Sequence, residues 1–145
     1  MDLLIYYVSG TREDVLSFLS DKLRERNFVK DSYKRSLLER EKKHPTGLVL
    51  SDLVNVAIPH TDPEFANADV FVIGIPQNEV KFGRIDDPSV EIAVDLIFLF
   101  VIKDPNEYLT FLSKLTENFA NKEFLGYIKE RNMEKINAFL KEHVL

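Results

Sequence analysis

An α/β sandwich, with a mixed sheet of about five strands and helices on both faces, is the fold this sequence predicts. Three observations predict it. Strand-like runs interleave with helical segments of more than ten residues along the chain. The run Leu96–Ile102 is apolar throughout, as in a central strand covered on both faces. In V-N-V-A-I-P-H-T, Val54 to Thr61, Val54, Val56 and Ile58 alternate with Asn55 and Ala57, the period of a strand with one apolar face.

Taken in order, Leu3–Val8 is β-branched and aromatic enough for a first strand, with Ser9-Gly10 as its exit turn. Thr11 suits an N-cap, with Asp14 three residues later, and Val15, Phe18, Leu19, Leu23 and Arg26 follow at helical spacing. Asn27 is the expected left-handed stop, with Phe28 folding back on the helix. Asp31 or Ser32 opens a second helix to about Lys43, whose apolar stripe holds Tyr33 and Leu37 and extends toward Leu38. Arg40 lies about one-sixth of a turn from Leu37, at the stripe's edge. Pro45-Thr46-Gly47 breaks the helix, and Leu48–Leu50 is extended.

Pro59 ends the central strand, because it offers no N–H to a ladder. Thr61–Asn67 reads as loop or short turn, Ala68–Ile75 as a strand closed by Pro76, Gln77–Phe82 as a further short strand, and Asp86-Asp87-Pro88 as a turn. Asp104-Pro105-Asn106-Glu107 is the clearest helix start, followed by the stripe Tyr108, Phe111, Leu112, Leu115 and Phe119. Helices over about Asn121–Lys129 and Met133–His143 close the chain.

Composition narrows the function. The 145 residues read as one domain, 1–145, long enough to bury a sizeable core. The net charge of −5 has no basic arm or like-charged block, so no nucleic-acid partner is expected. With no cysteine, a disulfide scaffold, a thiolate metal site and a cysteine nucleophile are excluded. His44, His60 and His143 lack ligand spacing, and no phosphate loop, dinucleotide fingerprint or nucleophile elbow occurs, so neither metal nor cofactor is expected. The first residues have no positive flank and too short an apolar core for a signal peptide, and no run is long enough for a membrane span; a soluble cytoplasmic domain is expected.

What remains is His60, where a strand stops and a loop begins. It shares a side with Val54, Val56 and Ile58, so it has an apolar floor beneath it and solvent in front. The pattern alone leaves two readings, a ring that packs at a strand end or a side chain held still for a partner.

Leu37–Leu48, L-L-E-R-E-K-K-H-P-T-G-L, followed by V-A-I-P-H-T, resembles the IIA domains of the bacterial sugar phosphotransferase system. The likeness is to the fructose/mannitol class and above all to its galactitol-type members. It extends through F-G-x-x-D-D at Phe82–Asp87 and N-E-Y-L-x-x-L-x-K-L at Asn106–Leu115. The resemblance implies that His60 accepts a phosphoryl group from the phosphocarrier HPr on Nε2 and passes it to a IIB component on a separate chain, for uptake of a galactitol-like polyol or related sugar. It implies that Arg40 helps hold the phosphoryl oxygens, a task suited to a guanidinium fork. Thr46 matches the family's P-T; its hydroxyl donates to phosphate or to the histidine, or it is a simple turn residue. Tyr108 departs from the pattern, standing where mannitol and fructose members commonly carry a second histidine. It donates a phenolic hydrogen bond to the phosphoryl group or fills the core. IIA-like domains also serve as regulatory, phosphorylation-sensing modules, which is the alternative reading; a plain ligand-binding domain is a third.

Overall fold

The computed structural model describes residues 1–145. The strands are β1 (Asp2–Val8), β2 (Gly47–Ser51), β3 (Val54–Ala57), β4 (Val70–Pro76), β5 (Lys81–Gly83), β6 (Glu91–Ala93) and β7 (Leu96–Val101). The helices are α1 (Arg12–Glu25), α2 (Tyr33–Lys43), α3 (Pro105–Asn118), α4 (Lys122–Glu130) and α5 (Met133–His143). Five strands form one mixed sheet in the order β1-β4-β7-β3-β2, and β5 and β6 form a separate ribbon. β1 runs parallel to β4 and β3 parallel to β7, whereas β4–β7 and β2–β3 are antiparallel.

The two central strands, β4 and β7, are buried along their whole length, because both faces are covered. On one face Val70, Val72, Ile97 and Leu99 pack with Leu16, Leu19 and Leu23 of α1 and Leu37 of α2. On the other, Phe71, Ile73, Phe98 and Phe100 pack with Phe111, Leu115, Phe124, Ile136 and Leu140 of α3 to α5. The alternation in β3 divides in the same way: Val56 and Ile58 join the second face and Ala57 the first.

Helix ends follow the local chemistry. Thr11 and Asp14 form a reciprocal capping box at α1. Asn27 is left-handed (φ 58°), and the Phe28 N–H returns to the Leu23 carbonyl at 3.0 Å, satisfying an orphan acceptor. Asp104 accepts from the N–H groups of Asn106 and Glu107 to start α3. Ser32 precedes α2 without a side-chain cap, and Asp31 instead pairs with Arg24.

The expected strand over Gln77–Phe82 is corrected to Lys81–Gly83. Asn78 is held instead by Gly10, whose N–H donates to its Oδ1 at 2.8 Å, so Gln77–Val80 stays a loop. Its partner Glu91–Ala93 falls in the first half of the largely apolar run Val90–Ile102, of which only the second half, Leu96–Ile102, reads as a strand. Gly47 lets this ribbon approach β2: a Cβ there would sit 2.6 Å from the Gly83 carbonyl oxygen.

Candidate active site

The sheet places His60 three residues beyond the end of β3, alongside the C-terminal half of β7. Its ring stacks on Phe100, with centroids 4.9 Å apart and planes 19° apart. Tyr108, in the first turn of α3, meets the same ring edge-on at 5.8 Å and leans on Phe100 at 5.5 Å. The Nδ1 of His60 lies 2.6 Å from the carbonyl oxygen of Ile58. A carbonyl only accepts, so Nδ1 carries the hydrogen and Nε2 keeps its lone pair. Burial is the main cause that pushes the His60 pKa below its ordinary value, and the Arg40 guanidinium pushes it further down. The Ile58 bond and the Asp62 carboxylate oppose them. The result is a neutral imidazole with one nitrogen held and the other free to attack.

Helix α2 supplies the other wall. Ser36 and Arg40 stand one turn apart on one side of it. The hydroxyls of Ser36 and Thr61 are hydrogen-bonded, and Arg40 Nη1 donates to Asp62 Oδ1 at 2.9 Å. The loop leaving His60 is thereby tied to the helix at two consecutive residues. Arg40 and Asp62 both act on the phenol of Tyr108 as well, whose pKa burial pushes up. His60, Arg40, Asp62 and Tyr108 therefore share one electrostatic site.

Thr46 is placed differently. It is buried, and its hydroxyl lies 3.0 and 2.9 Å from the two carboxyl oxygens of Glu41, while its N–H donates to Glu41 Oε1 at 2.9 Å. It connects to the histidine through the backbone: the Ile58 N–H donates to the Thr46 carbonyl at 3.2 Å, and the Ile58 carbonyl accepts from His60. Glu41 thus anchors a chain of peptide hydrogen bonds that ends at Nδ1. Burial pushes its own carboxyl above the usual range, against the Thr46 bonds that lower it.

Sequence reasoning missed Glu41, Asp62, Ser36, Thr61 and Phe100. A signal for Glu41 was present, since Tyr33, Leu37 and Glu41 recur at four-residue spacing on the buried stripe of α2. Asp62 had none, because its role depends on where α2 lies against the loop.

Over residues 4–143 the chain matches the family model described as phosphoenolpyruvate-dependent sugar phosphotransferase system, EIIA 2. The galactitol-specific EIIA component of Escherichia coli K12 is 29% identical over 101 residues, 70% of this chain and 66% of that protein, so the match spans just under two-thirds of that relative's length. The mannitol-specific EIICBA component of Pasteurella multocida is 29% identical over 138 residues, 92% of this chain and 21% of that protein. Among solved structures, Escherichia coli mannitol enzyme IIA, in complex with phosphorylated enzyme IIB, superposes with a TM-score of 0.65 at 20% identity, covering 88% of this chain and 85% of that one. The nitrogen regulatory protein IIA-Ntr of Neisseria meningitidis gives 0.62 at 25% identity, with 88% and 83% covered.

Proposed function

Because the chain belongs to the EIIA 2 family of the phosphoenolpyruvate-dependent sugar phosphotransferase system, we propose that residues 1–145 are a cytoplasmic IIA domain in which His60 carries the phosphoryl group. It takes that group from phospho-HPr and hands it to a IIB component, for uptake of a galactitol-like polyol or related sugar. The observation that carries this reading is the His60 ring, pinned at Nδ1 by Ile58 and free at Nε2. The Nε2 lone pair forms the bond to phosphorus as the bond to the HPr histidine breaks, and that electron pair stays on the leaving nitrogen. No proton crosses, and Nδ1–H remains on Ile58. The step exchanges one phosphohistidine for another, so positioning and charge stabilisation are what the site must supply. Arg40 supplies the charge by turning part of its fork from Asp62 to the phosphoryl oxygens. The galactitol-specific relatives support the sugar class, and the neighbour bound to phosphorylated IIB supports the onward partner.

Incubation with phosphoenolpyruvate, enzyme I and HPr tests the reading. One acid-labile phosphate per chain is expected, and none on a folded His60→Ala variant. Label that persists in that variant, or maps to His44 or His143, overturns the assignment. The similarity to IIA-Ntr supports a regulatory reading instead, in which His60 is phosphorylated but no IIB protein accepts the group.

A further inference from the structure

The two edges of the main sheet are built differently. At one edge, β2 is broken by a register shift between Val49 and Ser51 and is bridged by Arg84 through Gly47, two devices that spoil a template for further strands. At the other, β1 pairs with β4 over all seven residues and presents its second ladder to solvent. It holds no lysine, arginine, proline or bulge. Its outward face is apolar, with Leu3 half-buried, Ile5 42% exposed and Tyr7 66% exposed. An open ladder with an apolar face fits an extended strand.

The occupant is specified by symmetry. We propose that β1 pairs antiparallel with β1 of a second copy of this chain, about a twofold axis through Ile5, joining two sheets into one. In that register Ile5 faces Ile5, Leu3 faces Tyr7 and Leu4 faces Tyr6, so every cross-strand pair from residue 3 to residue 7 is apolar and no like charges meet. The flanking helix repeats the pattern. Phe18 of α1 lies edge-on to Tyr6 at 6.0 Å, one residue from the strand's centre, and is 39% exposed. Asp14 and Lys22 stand one turn to either side of Phe18. About the same axis Phe18 meets Phe18, and each Asp14 meets the partner's Lys22. One axis serves strand and helix together, which is what an isologous interface requires.

The absence of cysteine makes the test clean. Sedimentation of the full chain from micromolar to sub-millimolar concentration should show a monomer–dimer equilibrium. Ile5→Lys, which sets two ammonium groups face to face on the axis, should be monomeric throughout while accepting phosphate on His60 at the unchanged rate. Residues facing each other across a strand pair lie within disulfide range, so Ile5→Cys should cross-link under mild oxidation. Val49→Cys, exposed on the opposite edge, should not. A monomeric wild type at every concentration, an undiminished dimer in Ile5→Lys, or cross-linking of Ile5→Cys no faster than that of Val49→Cys overturns the proposal.

Discussion

Tyr108→Phe separates the two roles this side chain has been given. The ring is half-buried between His60 and Phe100, at 5.8 and 5.5 Å, and phenylalanine keeps both contacts. Burial raises the phenol's pKa, so it remains a protonated donor at neutral pH. If that donor reaches the phosphoryl oxygens, the lost bond is charge-assisted and worth roughly 1.5–3 kcal/mol, or about ten- to more than a hundredfold in rate. Melting should shift by less than the roughly 2–4 °C that 1 kcal/mol represents in a chain of this size. Tyr108→Ala removes both ring contacts; full truncation of a core aromatic costs about 3–5 kcal/mol, and half burial brings this to about 2 kcal/mol. The assay is rapid-quench transfer from labelled phospho-HPr, with thermal melts alongside. Transfer by Tyr108→Phe within twofold of wild type refutes the phosphoryl contact and leaves packing as the role. Tyr108→His tests the location, since it sets a second imidazole where two-histidine relatives have theirs; transfer at or above wild type would place this side chain beside the reacting group.

Arg40→Lys should cost under about 1 kcal/mol of stability, because the Arg40–Asp62 pair is solvent-exposed, yet slow transfer roughly a hundredfold through loss of the two-point contact; an unchanged rate removes Arg40 from the site. The His60 imidazole, depressed chiefly by burial, should titrate below 6.5 in the folded chain. Its contribution to stability is therefore complete above that value and lost as pH falls through the folded pKa. Ring-proton shifts that titrate at or above 6.5 would contradict this, and Asp62→Asn should move the titration lower still. Glu41→Ala strands the buried N–H and hydroxyl of Thr46 and should cost about 1–3 kcal/mol for each. With its pKa raised, Glu41 contributes stability that is whole below the unfolded value of 4.5 and declines as pH rises through the folded one. Glu41→Gln should flatten that decline in urea midpoints, and an unaltered pH slope would locate the titration elsewhere.

The fold was legible where one periodicity governed a segment. Asp104-Pro105 and the stripe behind it located α3, and Asn27 stopped α1 at its left-handed residue, because caps depend on neighbours in the chain. The β5–β6 ribbon was not legible as drawn. Its strands are three residues long and rest on contacts with distant parts, Gly47 among them, that no local window contains. The site divided in the same way. The alternation of Val54, Val56 and Ile58 put His60 over an apolar floor, and that floor is Phe100. The floor's identity required the β3–β7 register, and the Asp62 partnership required the packing of α2, neither of which is written in adjacent residues.

The tethers from α2 bear on how such a protein can change. Ser36, Arg40 and Glu41 reach Thr61, Asp62 and Thr46 from a single helix, and the last of these leads back to the histidine through Ile58. Insertion of one residue in α2 after Ser36 would turn Arg40 and Glu41 by about 100° relative to Ser36 and break their links together. Residues 36–62 therefore behave as one heritable block that tolerates substitution far better than a change of length. A chimaera built within this family should take that block whole, together with the β5–β6 ribbon that packs against its Gly47.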